Sequence, residues 1–159
     1  MINKNRNIIL LLGFLLLSGC GFKVLNKTEL RSFQIKEIVT KGDSKINFLI
    51  KKNLMNNFSR SKANESVLLN ISSTKNKEIK EKNIKNQITK YKISLITDVK
   101  IDLIGAKVNK KFKIYSDGSF DIASSHATTI NNQNNLEKIL AKKTSEKIIN
   151  ELIALINDL

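Results

Sequence analysis

The 159-residue sequence contains no proline, six glycines, one histidine and one cysteine. Proline and glycine mark linkers and turns, so their scarcity gives no sign of a linker between domains, and no internal repeat is present. One histidine and one cysteine cannot build a His/Cys metal cluster, and one cysteine cannot form an intrachain disulfide. No glycine-rich phosphate-binding loop occurs either. The sequence therefore predicts neither a metal nor a cofactor.

Candidate catalytic groups are also few. The lone histidine, His126, lies in a polar passage beside two serines without a nucleophile-elbow motif, so we interpret it as a loop histidine. Two pairs of aspartates are spaced four residues apart on predicted strands, which separates each pair by about 13 Å, too far for a paired-carboxylate hydrolase. These pairs are Asp98 with Asp102 and Asp117 with Asp121. We predict no catalytic residue and no enzymatic activity.

The first 20 residues have the organisation of an export signal that ends in a lipid-attachment site. Lys4 and Arg6 precede an apolar run from Ile8 to Leu17, and small residues lead to the only cysteine, Cys20. The run is too short to span a bilayer, which takes about 20 residues. The pattern Leu-Ser-Gly-Cys resembles a bacterial lipobox, in which the thiol is alkylated with diacylglycerol and the chain is cleaved before it. The alternative is an ordinary export signal with a chance cysteine.

Lipidation at Cys20 sets the expected domain boundaries. Residues 1–19 are a cleaved signal peptide, and residues 20–159 form a single domain held at a membrane by acyl chains. No second long apolar run follows, so the body is expected to face an aqueous compartment. In double-membrane bacteria an aspartate after the lipidated cysteine usually marks retention at the inner membrane. Gly21 therefore favours the outer membrane.

The positive charge indicates an anionic partner. The formal charge of +14 falls to +12 when Lys4 and Arg6 leave with the signal. In a cytosolic protein such a charge would suggest nucleic acid. An exported chain meets little nucleic acid, and its anionic partners are phosphorylated glycolipids, anionic headgroups and acidic protein surfaces. The alternative is codon bias in an AT-rich genome, because asparagine and isoleucine are abundant beside lysine.

Hydrophobic periodicity predicts the first half of the fold. A strand over 32–39 leads to a turn, and Asp43 or Ser44 is expected to cap an amphipathic helix that runs to about residue 60. A second strand alternates from Val67 onwards. The polar, lysine-rich tract 74–87 is either a continuation of this strand or a mobile hairpin loop.

The second half is predicted by alternation and then by a helical stripe. A third strand over 90–103 alternates strictly, and a fourth over 111–122 alternates with a plausible bulge midway. A long helix over 136–159, capped by Asn134 or Asn135, follows. We expect its buried stripe at Leu136, Ile139, Leu140, Ile148, Leu152, Leu155 and Ile156, with Leu95, Ile101 and Ile148 buried between sheet and helix. The expected class is α+β: a two-layer sandwich of a mostly antiparallel four-stranded sheet with two helices packed on one face.

This order of elements, the opening Cys20-Gly21-Phe22 and the closing helix resemble the LPS-assembly lipoprotein LptE family. In that family a lipidated Cys-Gly-aromatic start leads into a strand, a helix, three long antiparallel strands and a C-terminal helix. The resemblance covers the whole mature chain as a pattern, and Cys20-Gly21-Phe22 carries the match at residue level. The body is richer in lysine and asparagine than is usual in the family.

The resemblance implies a role in the outer membrane. A member of the family plugs the LptD β-barrel, assists the assembly of that barrel and contacts lipopolysaccharide. A basic domain suits the polar interior of a large barrel. Two other functions stay open: a structural or adaptor lipoprotein of another envelope machine, such as a barrel-assembly or secretin accessory, and an anchored periplasmic enzyme.

Three lysines are the candidate ligand-binding residues. If strands two and three pair as a hairpin, Lys82 and Lys85 lie at its tip. The link from strand four to the last helix is expected to reach the same end, where Lys138 begins that helix. The three side chains are then predicted to form one basic patch that binds lipopolysaccharide phosphates. The alternative is a solvated lysine-rich loop.

Overall fold

Six elements make up the part of the chain that the computed structural model describes, residues 33–58 and 65–157. The predicted order of strand, helix, three strands and helix is confirmed. The predicted signal peptide and Cys20 lie outside the described residues. In chain order the elements are β1 (Phe33–Gly42), α1 (Ser44–Asn57), β2 (Glu65–Lys82), β3 (Ile88–Leu103), β4 (Val108–Asp121) and α2 (His126–Asn157).

The four strands form one sheet in the order β1-β2-β3-β4. β1 is parallel to β2, and α1 makes the crossover between them. The pairs β2–β3 and β3–β4 are antiparallel. The buried side chains of the strands and of both helices form one hydrophobic cluster, so the two helices cover the same face of the sheet. The structure is thus the predicted α+β two-layer sandwich with a mostly antiparallel sheet.

The alternation of β3 explains where the core lies. Successive side chains on a strand point to opposite faces, and in β3 every second residue from Ile93 to Leu103 is buried. The residues between them face the side of the sheet that carries no helix. The predicted burial of Leu95, Ile101 and Ile148 is confirmed, since each of these side chains is at most 1% exposed.

The polar tract 74–87 continues β2 rather than forming a loop from its start. β2 pairs with β3 as far as Lys82, which lies opposite Ile88, and the register shifts around Glu81. Only residues 83–87 form a turn. Of the two interpretations that the sequence left open, strand continuation is therefore right for most of the tract. The hairpin is long because the residues of both strands continue to pair through their backbones, although their side chains are polar.

α1 begins where β1 closes against β2. β1 extends to Gly42, three residues past its predicted end, and Gly42 has φ +88°. A Cβ at Gly42 would collide with the carbonyl oxygen of Ser73, which accepts a hydrogen bond of 2.8 Å from the backbone N–H of Asp43. Asp43 then caps the helix, as predicted, because its Oδ1 accepts a 2.9 Å hydrogen bond from the backbone N–H of Ile46. The helix ends at Asn57.

α2 begins at His126, ten residues before the predicted start at Leu136. Neither Asn134 nor Asn135 is its cap, and His126 is the first helical residue rather than a loop residue. The first ten residues are rich in threonine and asparagine, which are poor helix formers, and they carry little apolar periodicity. The sequence pattern therefore missed the first turns of this helix.

A serine side chain caps the N-terminus of α2, which the hydrophobic pattern did not predict. The Oγ of Ser125 accepts a 3.2 Å hydrogen bond from the backbone N–H of Thr128, as an N-cap side chain does. The hydroxyl of Thr129 donates to the carbonyl oxygen of Ser125 at 3.1 Å and accepts from the backbone N–H of Ala123 at 2.9 Å. These local bonds fix the chain as it leaves β4.

No bulge interrupts β4, although the sequence made one plausible. Its register with β3 is unbroken from Asp121, opposite Lys90, to Val108, opposite Leu103. The glycine midway serves close packing instead. A Cβ at Gly118 would lie 2.7 Å from Cδ1 of Leu136, so the missing side chain lets α2 approach the sheet.

The buried stripe of α2 differs from the prediction at Ile139. This side chain is 51% exposed, because one residue of helix turns it about 100° away from Leu140, which is 1% exposed. Thr144 is buried, and its hydroxyl shares a 3.2 Å hydrogen bond with Ser116 on β4. The side chain of Ile156 lies outside the described residues. Within residues 33–58 and 65–157, neither helix has a stretch long and apolar enough to cross a membrane.

Candidate functional site

The β2–β3 hairpin ends in a turn that asparagines hold together. The Oδ1 of Asn83 accepts hydrogen bonds of 3.0 Å from the backbone N–H groups of Lys85 and Gln87. Asn86 has φ 59°, in the left-handed region that asparagine tolerates better than most residues. The sequence thus specifies a defined turn rather than a mobile loop.

The structure places Lys82 and Lys85 together at this tip. Lys82 closes β2, and its Nζ donates a 3.0 Å hydrogen bond to Oδ1 of Asn86. Among the described residues neither lysine has a carboxylate within ion-pair distance. Ile84 lies between them in sequence and is fully exposed. The tip therefore presents two lysines without acidic partners beside a bare apolar side chain.

Lys138 lies apart from the tip. Its neighbour Glu137 contacts Lys75, with 3.1 Å between Nζ and Oε1, so this part of α2 is level with Lys75 on β2. Seven residues of strand separate Lys75 from Lys82, a distance of about 23 Å. Because α2 begins at His126, Lys138 lies more than three turns into the helix. The helix does start at the tip end, but it carries His126 there instead of Lys138.

The other lysines near the tip are already engaged. Lys90 lies between two carboxylates, 3.1 Å from Oε2 of Glu81 and 3.5 Å from Oδ1 of Asp121. The hydrogen bond and charge of Glu81 raise the pKa of Lys90, with a smaller contribution from Asp121. Lys80 donates to the hydroxyl of Ser119 at 3.2 Å. Within the part of the chain that the structure describes, Lys82 and Lys85 thus differ from Lys90 in lacking a carboxylate partner, and from Lys80 in making no side-chain bond to another strand.

A charged network that the sequence did not predict joins both helices to the sheet. Glu137 of α2 is fully buried, and its two oxygens bind Lys45 of α1 at 2.6 Å and Lys75 of β2 at 3.1 Å. Lys75 also binds Asp43, the cap of α1, at 3.1 Å. Gln133, one turn before Glu137, donates to Oε1 at 3.0 Å. Every charge in this cluster has an opposite partner.

The pKa values in this network reflect that pairing. Burial alone would raise the pKa of Glu137, but hydrogen bonds from Lys45, Gln133 and Lys75 outweigh it and lower the pKa. Asp43 behaves in the same way: burial raises its pKa, but the bonds from Ile46 and Lys75 lower the pKa by more than burial raises it. Burial lowers the pKa of Lys75, and its two carboxylate partners raise it above the ordinary value. All three groups are ionised near neutral pH, so we interpret the network as structural.

A helical spacing could have revealed the buried glutamate. Glu137 precedes Leu140 by three residues and Ala141 by four, so it lies on the buried stripe of α2. A buried acidic residue at such a position needs a cationic partner. The sequence alone does not identify that partner, because Lys45 and Lys75 belong to elements that are distant along the chain.

The sheet face opposite the helices carries a shallow groove of about 460 Å³. All four strands contribute to it, and its charged side chains are mostly paired. Lys113 of β4 lies 3.4 Å from Asp98 of β3, and Lys100 of β3 lies 2.8 Å from Asp102. Such exposed pairs suit a solvated surface and contribute little to stability.

The described residues include those that the sequence raised as candidates for metal binding or catalysis. They contain no group of three His, Cys, Asp or Glu side chains that could hold a metal ion. His126 is exposed at the start of α2, beside Ser125, whose hydroxyl caps the helix. Each of the four aspartates considered in the sequence lies within ion-pair distance of a lysine: Asp98, Asp102 and Asp121 in the pairs described above, and Asp117 at 3.9 Å from Lys92.

Two solved structures, both of proteins described as lipoproteins, share this fold. The rare lipoprotein B from Shewanella oneidensis superposes with a TM-score of 0.57 at 13% identity, covering 77% of this chain and 97% of that one. The uncharacterized lipoprotein B from Nitrosomonas europaea superposes with a TM-score of 0.53 at 9% identity, covering 86% and 93%. At such low identity the likeness establishes a shared fold.

Sequence comparison adds nothing to that likeness. No protein-family model matches the chain. No curated protein matches it either. The shared arrangement of sheet and helices is thus the finding on which a functional proposal can be built.

Proposed function

We propose that this chain is an outer-membrane lipoprotein, anchored through Cys20, that acts as a non-enzymatic subunit of the lipopolysaccharide transport and assembly complex. The observation that carries the proposal is the fold, which the chain shares over most of its length with rare lipoprotein B. The lipobox-like Leu-Ser-Gly-Cys independently supports a lipid anchor. Together they favour a protein that faces the periplasm and assists an envelope machine.

The shape of the molecule supports a plug within a large β-barrel. β2 has 18 residues, which gives it a length of about 60 Å. The polar ends of β2 and β3 stay paired as far as Lys82 opposite Ile88, and α2 begins close to that same end. An elongated domain with a polar surface suits the wet interior of an LptD-like barrel. In this proposal the domain assists assembly of the barrel and contacts lipopolysaccharide at the hairpin tip.

The tip is the proposed contact for lipopolysaccharide. Lys82 and Lys85 present ammonium groups to phosphates, and the exposed Ile84 is available for an acyl chain. Lys138 was part of the predicted patch, but its position on α2 makes it a separate cation. The proposed site therefore consists of the two tip lysines, with Lys138 as a comparison residue.

A pull-down from solubilised outer membranes tests the complex. The tagged lipoprotein is the bait, and its partner is identified by mass. We expect a large LptD-like β-barrel, and a Cys20→Ala variant that stays unlipidated and loses firm membrane attachment. Recovery of a different envelope complex would favour the adaptor alternative, and an unmodified Cys20 in the mature wild type would contradict the anchor.

The affinity for lipopolysaccharide at two salt concentrations tests the tip. Charge pairing is screened, with a Debye length of about 8 Å at physiological ionic strength, so binding should weaken with added salt. We expect Lys82→Ala with Lys85→Ala to bind more weakly and with a shallower salt dependence. The matched control is Lys138→Ala with Lys143→Ala, which removes the same charge from α2. Equal affinity of both double variants would contradict the tip site and leave the plug role untouched.

A further inference from the structure

The outward side of α1 carries apolar side chains where polar ones are expected. Phe48 is 65% exposed and Met55 is 48% exposed. They are seven residues apart, so two turns of helix bring them to the same side. The opposite side of the helix holds Ile46, Ile50 and Leu54, which are fully buried. α1 is therefore apolar on two sides, and only one of them faces the core.

Lysines accompany the exposed apolar pair. Lys51 and Lys52 lie between Phe48 and Met55 on the same outward side, and both are exposed. Neither is within ion-pair distance of a carboxylate in the part of the chain that the structure describes. α1 contains three lysines and no aspartate or glutamate. We refer to Phe48, Lys51, Lys52 and Met55 as the outer α1 patch.

The open face of the sheet differs in this respect. Four of its lysines pair with carboxylates, three across neighbouring strands and one within β3, so their charge is compensated locally. These lysines are Lys90, Lys92, Lys100 and Lys113. Lys41 and Lys111 have no ion pair among the described residues, but they lie on a face whose other lysines are compensated. On α1 no carboxylate accompanies the lysines of the outer α1 patch.

We propose that the outer α1 patch docks on the anionic surface of a phospholipid bilayer. Apolar side chains that enter the headgroup region, with lysines beside them that meet lipid phosphates, are the chemistry of peripheral membrane binding. A protein partner fits this patch less well, because lysine is depleted at the cores of protein interfaces. The inference goes beyond the transport role and concerns the lipoprotein at the bilayer surface, outside the barrel of the proposed function.

The position of the chain start favours this orientation. Because β1 and β2 are parallel, both begin at one end of the sheet, and α1 returns to that end. Met55 thus lies at the end of the molecule from which the chain leads back to Cys20. Twelve residues separate Cys20 from Phe33. They reach at most about 45 Å, so a lipid at Cys20 keeps α1 close to the bilayer. This last step rests on the proposed anchor, whereas the patch itself does not.

A single introduced tryptophan can report the docking by its fluorescence, because the natural chain contains no tryptophan. The mature lipoprotein with Phe48→Trp is reconstituted in vesicles of phosphatidylcholine alone or mixed with phosphatidylglycerol, each with brominated lipid as quencher. We expect the reporter emission to shift to the blue and to be quenched in the anionic vesicles. The matched control is Tyr115→Trp, at a 62% exposed position on the open face, for which we expect neither change.

A charge-neutralising pair of variants tests the lysines without the anchor. The mature chain is prepared with Cys20→Ser, and its affinity for the same anionic vesicles is measured. Each lysine near an anionic surface contributes about fivefold, so Lys51→Gln with Lys52→Gln should bind about 25-fold more weakly. Lys41→Gln with Lys111→Gln removes the same charge from the open face and should leave the affinity unchanged.

Two results would overturn the docking proposal. One is equal quenching of the two reporters, or no quenching of the Phe48→Trp reporter on anionic vesicles. The other is an emission shift that occurs only when a β-barrel partner is added, which would make the patch a protein interface. Neither result bears on whether the barrel co-purifies with the lipoprotein, so this inference and the proposed function can fail separately.

Discussion

The two halves of β2 belong to one strand and pair with one partner, yet different forces hold them. In the first half, Glu65–Ser73, the side chains that face the helices are buried and form the centre of the core. In the second half, Thr74–Lys82, the same side of the strand carries Lys75 and Lys77. These two lysines bind side chains of α2 at 3.1 and 2.8 Å. Backbone pairing with β3 runs through both halves.

The difference means that the first half of β2 supplies most of the stability, whereas the second half supplies accessible surface. Burial of apolar area is worth about 25 cal/mol per Å², whereas an exposed polar contact is worth a few tenths of a kcal/mol. The first half of β2 should therefore carry most of the unfolding free energy. The second half can vary in sequence while it keeps its shape, which suits a segment that ends in the proposed ligand-binding tip.

The largest expected effect is in the first half. Ile101 of β3 lies opposite Leu69 and is fully buried. Ile101→Ala should lower the unfolding free energy by about 2–5 kcal/mol, because it removes buried methyl groups and leaves a cavity. Thermal and urea denaturation measure the loss. Ile96→Ala is the control on the open face of the same strand, where the side chain is 38% exposed, and similar losses for both variants would mean that the buried face is misassigned.

The next largest effect is expected at the junction of the two halves. Glu137→Gln keeps the shape of the side chain but removes the charge that Lys45 and Lys75 share. We expect a loss of about 1–3 kcal/mol, as for hydrogen bonds to charged groups. Glu146→Gln changes an exposed residue of the same helix and should cost much less. An unchanged midpoint of urea denaturation in Glu137→Gln would show that the network contributes nothing.

Acid should weaken the same junction. The pKa values of Glu137 and Asp43 are lower in the folded protein than their ordinary values of 4.5 and 3.8. The unfolded chain therefore takes up protons first as the pH falls, and the stabilisation is lost from about those values downwards. The melting temperature measured between pH 6 and about pH 3 should fall less steeply in Glu137→Gln than in the wild type. Parallel curves would contradict the pKa assignment.

A smaller effect is expected in the second half of β2. The Nζ of Lys77 lies 4.3 Å from the centre of the Tyr91 ring and 5.3 Å from that of Phe120. A cation over an aromatic face is worth about 0.5–1 kcal/mol at an exposed site. Lys77→Gln should lower stability by about this amount, and Lys80→Gln, which does not contact a ring, should cost less. A loss above about 2 kcal/mol would place part of the core in this half.

The smallest effect is expected at the tip. Ile84 is fully exposed, so Ile84→Ser should change the unfolding free energy by no more than about 0.5 kcal/mol. Binding to lipopolysaccharide should weaken at the same time, because an apolar contact is removed from the proposed site. A variant that loses stability but not binding would reverse the roles assigned to the two halves.

Much of the fold followed from periodicity alone. Strict alternation located β3 and its buried face, and the spacing of Ile46, Ile50 and Leu54 located α1. The missed start of α2 has a physical reason, since its first turns depend on hydrogen bonds around Ser125 and not on an apolar stripe. The exposure of Ile139 could not be read from the sequence either, because it depends on how α2 is rotated against the sheet.

The candidate site was predictable in part. The lysine-rich tract indicated a hairpin, and its tip carries Lys82 and Lys85. Lys138 was expected at the tip because the sequence placed the start of α2 ten residues too late. The turns that the prediction missed lie between the start of the helix and Lys138. The outer α1 patch was not predicted, because the spacing of Phe48 and Met55 suits a helix whether these residues face the core or the solvent. Only burial shows that they face outwards.

The parallel pairing of β1 with β2 has a mechanical consequence. A pull between the proposed anchor, before Phe33, and the hairpin tip, after Lys82, would draw β1 and β2 in opposite directions along their own axes. That is shear, in which the nine paired positions from Phe33 to Gly42 share the load together instead of opening one by one. An antiparallel pair loaded from adjacent ends would instead unzip. A tethered domain with this topology can bear tension transmitted from its tip without loss of its edge strand.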